Sequence, residues 1–167
     1  MTSHQNAVAD LLAQEFGTLA ALIRIHARQR PLHPALVMNE QTVTYAALDQ
    51  AMDRVAGALQ RDGLRCGDTV AVCAGTSVAY ATLYLGCLRA GVAVAPLPPS
   101  SKADALAGMI KDSDAKLLFV DHAAASLLAD VLPGLPVALI ALERHGESAA
   151  FDDWLGVAGT APADVAI

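Results

Sequence analysis

This sequence has little charge. Only 17 % of its 167 residues are Asp, Glu, Lys or Arg, against about 25 % in a typical soluble domain. The formal charge is −6 and no Lys/Arg cluster occurs, which excludes the phosphate-neutralising footprint of a nucleic-acid binder. Cysteine is sparse and unpatterned: Cys66, Cys73 and Cys87 are an odd number without C-x-x-C spacing. That excludes a disulfide framework and a zinc knuckle, and leaves three small apolar fillers in a reducing compartment. Residues 1–10 are polar and lack the basic segment and apolar run of a signal peptide. The most apolar stretch, residues 83–97, is interrupted by Arg89 and Pro96 and falls short of the ~20 residues of a membrane span. A cytoplasmic location is expected.

Familiar catalytic motifs are missing as well. There is no G-x-S-x-G elbow, H-E-x-x-H pair, G-x-G-x-x-G turn or G-x-x-x-x-G-K-[ST] loop. Gly75-Thr76-Ser77 follows an apolar run and precedes a helical pattern, a place where backbone N–H groups can face an anion. The simpler reading is that Ser77 caps the helix. His4, His26, His33, His122 and His145 are scattered, with no i,i+4 pair to hold a metal, and His26 falls on an apolar stripe. Asp112 and Asp114, and likewise Asp152 and Asp153, read as solvated carboxylates, because an acid/base pair needs convergence from separate segments.

What is abundant is apolar sequence, 54 % of the chain, much of it Ala. A low-charge domain of this kind is expected to have a face covered by something else, including by self-association. Periodicity orders the rest. Thr18 caps a helix to residue 29 with Leu19, Leu22, Ile23 and His26 on one stripe, and Pro31 ends it. Residues 35–38 and 41–43 flank the turn Asn39-Glu40 as a β-hairpin. Thr44 caps a long helix with Leu48, Met52, Val55 and Leu59 on its buried stripe, and Gly63 stands where a left-handed C′ residue is wanted. Strands at 69–73, 92–95, 117–120 and 137–141 then alternate with helices at 77–90, from 101, and at 123–132, the last stopped by Pro133. Residues 151–155 suggest a short helix, and 163–167 begin a further apolar strand in which the sequence stops. Apolar strands alternating with helices predict an α/β fold: a mostly parallel sheet flanked by helices, preceded by a helix and a short hairpin. The unfinished last strand predicts an incomplete domain.

Several segments in this order carry a resemblance. They are Leu19-Ala20-Ala21-Leu22, Arg30-Pro31, Ala35-Leu36 and Thr44-Tyr45-Ala46-Ala47-Leu48. Next come Gly63-Leu64-Arg65-Cys66-Gly67-Asp68-Thr69-Val70-Ala71 and the run Leu85-Gly86-Cys87-Leu88-Arg89-Ala90-Gly91-Val92-Ala93-Val94-Ala95-Pro96. Asp112-Ser113-Asp114-Ala115-Lys116 closes the series. Over residues 18–121 the chain resembles the N-terminal portion of the adenylate-forming superfamily, which holds acyl- and aryl-CoA synthetases, peptide-synthetase adenylation domains and luciferases. The matching residues are mostly caps and turns, so they identify a scaffold.

The resemblance implies an N-terminal extension over 1–17. It implies a partial large N-terminal domain over 18–167, truncated before the Ser/Thr/Gly-rich loop whose Lys holds the ATP phosphates. It implies an enzyme using ATP, Mg2+ and CoA that converts a carboxylic acid to acyl-AMP and then to a thioester, with no catalytic residue inside 1–167. Many family members carry a basic residue after the strand ending at Pro96, which in some aryl-CoA ligases reaches the CoA phosphate. Here that position is Ser100, and Lys102, with its long stem, is the cofactor-binding substitute; its plain alternative is a solvated Lys at a helix start. A carrier-protein thiol therefore stays open beside CoA. So do fatty and aryl acids as substrates, and a solitary binding or interaction module beside the ligase.

Overall fold

The computed structural model describes residues 3–13, 17–143 and 151–156. Helix α1 (Ser3–Leu12) lies in the segment expected only as an extension, and it buries Leu11. Helix α2 (Leu19–Gln29) is capped by the Thr18 hydroxyl, which accepts from Ala21 N. The antiparallel pair β1 (Pro34–Met38) and β2 (Gln41–Thr44) turns at Asn39, whose φ is +52°. Helix α3 (Tyr45–Arg61) starts at the Thr44 cap. It ends in a Schellman motif: Gly63, at φ +83°, donates to the Gln60 carbonyl and Leu64 donates to the Leu59 carbonyl.

The main sheet contains β3 (Thr69–Cys73), β4 (Ala93–Pro96), β5 (Ala115–Val120) and β6 (Ala138–Ala141) in the order β4-β3-β5-β6, all pairs parallel. Between them run α4 (Val78–Arg89), α5 (Ala103–Asp112) and α6 (His122–Leu128), and α7 (Phe151–Leu155) follows β6. Each strand's alternate residues serve opposite faces. Val70, Val72, Leu117 and Phe119 pack with Val55, Leu59, Leu83 and Cys87 from α3 and α4, and with Trp154 from α7. Ala71, Cys73, Leu118 and Val120 meet Leu106, Ile110, Ala124 and Leu128 from α5 and α6. Burial on both faces is why these strands read as unbroken apolar runs instead of alternating ones. A third cluster, Ile23, Leu48 and Met52, fastens α2 and the hairpin to α3.

Some expectations shift. Leu19 is half exposed, because Ala20 and Ile23 carry the stripe of α2 inward. The helix expected to open at Ser101 has Lys102 at its cap position and begins at Ala103. The helix expected over 123–132 ends at Leu128, and Pro133 sits inside a separate 3₁₀ turn, Leu132–Gly134. That turn tolerates proline where an α-helix interior would not. Cys73 and Cys87 are buried fillers, but Cys66 is exposed in the turn before β3. The expected strand at 163–167 lies outside the described residues.

Candidate functional site

The four parallel strands all end on one edge, and the loops there gather the residues of interest. After β3 come Ala74 to Ser77, after β4 the stretch to Lys102, after β5 Asp121 and His122, and after β6 Leu142 and Glu143. The chain moves from β3 to β4 on one side and then to β5 on the other. The β3–β5 boundary is therefore the switch point, where open parallel sheets bind ligands.

Asp121 occupies that boundary. Its Oδ2 accepts from Gly75 N at 2.8 Å, and its Oδ1 caps α6 by accepting from Ala124 N at 2.8 Å. Ser77 Oγ accepts from Tyr80 N at 3.0 Å, the capping role expected from sequence. The Gly75-Thr76-Ser77 turn thus has its Gly75 amide committed to an internal carboxylate, which disfavours an external anion there. Burial, with the Asp121 charge added, pushes the Cys73 thiol above its ordinary range. Burial alone pushes Cys87 to about 12. Neither is a thiolate near neutral pH, so neither is poised as a nucleophile.

Lys102 is exposed at the start of α5 and makes no side-chain cap bond. It follows β4, on the side of the sheet where the strands end. Asp112 is exposed at the end of α5, and Asp114 stands at φ +51° just beyond it. Asp152 and Asp153 lie in the first turn of α7. The first pair thus lies at the end of α5 and the second at the start of α7. Among the described residues no three His, Cys, Asp or Glu side chains group to hold a metal, and no helix is long and apolar enough to cross a membrane.

A groove of about 1110 Å3 opens beside this edge. Its walls are the hairpin turn, the outer face of α3 at Ala47, Ala51 and Arg54, the first turn of α4, and α7. Arg54 Nη2 donates to the Gly156 carbonyl at 3.3 Å, while its Nε is buried without a partner among the described residues. Sequence reasoning passed over Arg54. An arginine beside the apolar stripe of a long helix looks like any solvated one until its neighbours are known.

His26 sits at a second junction, where α2, the hairpin and α3 meet. Arg30 Nη2 lies 3.2 Å from His26 Nε2, and the Tyr45 ring is 5.0 Å from the imidazole and 5.1 Å from the Arg30 guanidinium. The contact with Arg30 requires a neutral imidazole that accepts at Nε2. Burial first, then the charges of Arg30 and His33, hold His26 below its usual 6.5. A lowered folded value means that the unfolded chain binds the proton first. The His26 contribution is therefore complete above about pH 6.5 and is lost as the pH falls through the folded value. Thermal unfolding at pH 7.5 and 5.5 should show a larger drop in Tm for the natural chain than for His26→Gln, whose amide oxygen still accepts from Arg30. Equal drops would remove His26 as the cause.

The class to which this sheet, its flanking helices and its edge belong emerges from comparison with known proteins. Residues 23–162 match the AMP-binding enzyme family, and the chain belongs to that family of adenylate-forming ligases. It is 30 % identical over 131 residues to a fatty acid–[acyl-carrier-protein] ligase, ScoC, of Streptomyces coeruleorubidus, covering 78 % of this chain and 25 % of that protein. It is 31 % identical over 106 residues to bacitracin synthase 2 of Bacillus licheniformis, covering 64 % of this chain and 4 % of that one. The fold is shared with a benzoate CoA ligase from Burkholderia xenovorans LB400, at a TM-score of 0.80 and 20 % identity, over 91 % of this chain and 31 % of that structure. The chain thus spans a quarter or less of the length of these two curated relatives.

Proposed function

We propose that this chain is the scaffold-forming first portion of an ATP-dependent acid–thiol ligase. Residues 1–17 are its extension and 18–167 part of its large domain. The complete enzyme joins a carboxylate oxygen to the α-phosphorus of ATP and releases pyrophosphate. A thiol then attacks the acyl carbon, forming a thioester and releasing AMP. The activation has a plain chemical reason: a carboxylate is a poor electrophile, and the mixed anhydride carries a good leaving group. When bound, Mg2+ and a lysine charge would stabilise the adenylyl group during its transfer at the α-phosphorus. The supporting observation is the family match over 23–162 combined with a parallel sheet whose ligand edge is held at its switch point by structural hydrogen bonds. Residues 1–167 supply the sheet; the phosphate-binding loop, the acyl pocket and the catalytic lysine are assigned to sequence beyond residue 167. Purified 1–167 should release no pyrophosphate from ATP with any carboxylic acid, and the complete reading frame should release it with one. Release from 1–167 itself would place the chemistry inside the scaffold.

For the acceptor, Lys102 is proposed to reach the CoA phosphate. Lys102→Ala in the complete enzyme should raise KM for CoA about two- to fivefold, the size of one exposed ion pair, and leave acyl-AMP formation unchanged. A carrier-protein thiol is the second reading, favoured by the carrier-protein ligase among the relatives. It predicts thioester formation on a carrier domain and no effect of Lys102→Ala on free CoA.

A further inference from the structure

The loop joining α2 to β1 lies across the start of α3. Helix α2 ends at Gln29, and Arg30 leaves it at φ −143° and ψ +62°, ahead of a proline that cannot continue the helix. The first amides of any helix have no partner within it. Here Tyr45 N donates to the His33 carbonyl at 3.0 Å and Ala46 N to the Pro31 carbonyl at 3.1 Å, while the Thr44 hydroxyl accepts from Ala47 N at 3.3 Å. A loop that precedes the hairpin thus closes the N-terminus of the helix that follows it. The loop has no apolar anchor of its own: residues 30–34 are all exposed, Leu32 at 83 %. Hydrogen bonds and ring contacts alone keep it in place.

Those ring contacts centre on Tyr45. Its ring has His26 at 5.0 Å, His33 at 6.3 Å and the Arg30 guanidinium at 5.1 Å. Arg30 Nη2 lies 3.2 Å from His26 Nε2. A guanidinium only donates, so Nε2 must accept, and the imidazole proton is on Nδ1, which is buried without a partner among the described residues. His33 Nδ1 lies 3.0 Å from the Pro34 carbonyl, which only accepts, so that contact survives in either charge state of His33. The charges bearing on His26 are those of Arg30, one turn on, and His33, in the loop. The two acids of α3, Asp49 and Asp53, are engaged by Arg24 and Arg89. Among the described residues no carboxylate pairs with either imidazole.

We propose that residues 30–33 form an acid-released clasp on the N-terminus of α3, with His26 as its trigger. Protonation places a hydrogen on Nε2, so that donor faces donor and cation faces cation across 3.2 Å. No carboxylate in the cluster offsets that charge. The guanidinium leaves His26 and the Tyr45 ring, and the loop keeps only its two carbonyl bonds to α3. With nothing apolar buried beneath it, the loop then opens locally and the Tyr45 and Ala46 amides pass to water while the sheet stays folded.

Amide exchange of the 167-residue chain at pH 7.5 and 5.0, corrected for intrinsic rates, reads the clasp residue by residue. Protection of Tyr45 and Ala46 should fall by about tenfold at the lower pH, the strength of one hydrogen bond from a charged donor. At pH 5.0 their exchange should depend little on added urea, the mark of a local opening, whereas Val72 and Phe119 in the sheet should carry the full slope of global unfolding. His26→Gln, whose amide oxygen accepts from Arg30 and does not titrate, should abolish the fall. His33→Gln should keep it. If His26→Gln folds poorly, the natural chain still decides, because the midpoint of the fall should track the imidazole resonances of His26 and not those of His33.

Constant protection of Tyr45 and Ala46 across this pH range overturns the clasp. So does a full global urea slope at those two amides, which would mean that the loop never opens by itself. A fall that persists in His26→Gln, or that tracks His33, overturns His26 as the trigger.

Discussion

Arg89→Met should cost about 3 kcal/mol of folding stability, read as a fall in denaturation midpoint with the denaturant slope unchanged. The Arg89 side chain is only 7 % exposed and ties three helices together. Nη2 meets Asp49 Oδ1 at 2.5 Å and the Ala20 carbonyl at 3.3 Å. Nη1 meets Asp53 Oδ1 at 2.9 Å and the Asp49 carbonyl at 2.7 Å. Methionine fills similar space and leaves all four acceptors short of a donor. Removing one partner of a fully buried pair costs about 3–5 kcal/mol. The lower end applies here because Asp49 and Asp53 are 19 % and 33 % exposed and keep Arg24, which lies 3.6 and 2.7 Å away. Arg89→Lys should fall between the two, since an ammonium keeps the charge but lacks the planar fork that spans both aspartates. A loss below about 1 kcal/mol for the methionine variant would place the cluster with ordinary surface pairs.

Gly86→Ala should destabilise by about 2 kcal/mol, although alanine is the better helix former by about 1 kcal/mol. A Cβ built on Gly86 would stand 2.5 Å from Val55 Cγ1 and closer still to Val55 Cβ. Both residues are buried where α3 crosses α4, and the helices must separate to admit the methyl. In a chain of this size that loss lowers Tm by roughly 4–8 °C. Val55→Ala removes the Cγ clash but keeps the Cβ contact. The double variant should therefore be less destabilised than the sum of the single ones by about 1 kcal/mol, and still less stable than the natural chain. Strict additivity would show that the two positions do not touch.

These two residues mark the limit of what sequence shows. Arg89 was visible as an interruption of an apolar run and as part of a family pattern, but nothing near it in sequence names Asp49 or Asp53. Gly86 stood in the same pattern without a reason. The candidate site divides in the same way. The capping role of Ser77 follows from its place before a helix, whereas the bond from Gly75 to Asp121 crosses 46 positions. Lys102 is legible only through a resemblance, and the structure adds its place at the start of α5, after β4. Arg54 and the bonds that Arg61 and Asp62 make to Trp154 have no sequence signal, because a single arginine or tryptophan has no period.

By itself the sequence determined the elements and their class. Apolar runs of strand length, three-and-four spacing and caps at Thr18, Thr44 and Ser77 act within a few residues, as do the left-handed glycines at 63 and 91, so they can be read locally. It also carried the family, through an ordered series of turns and caps. Only the tertiary structure decided the strand order β4-β3-β5-β6, the charged knot around Arg89, the close approach at Gly86, and the pinning of α7 by Arg61 and Asp62. Each of these depends on side chains tens of residues apart meeting in space, and a contact of that kind leaves no periodic trace in the sequence around either partner.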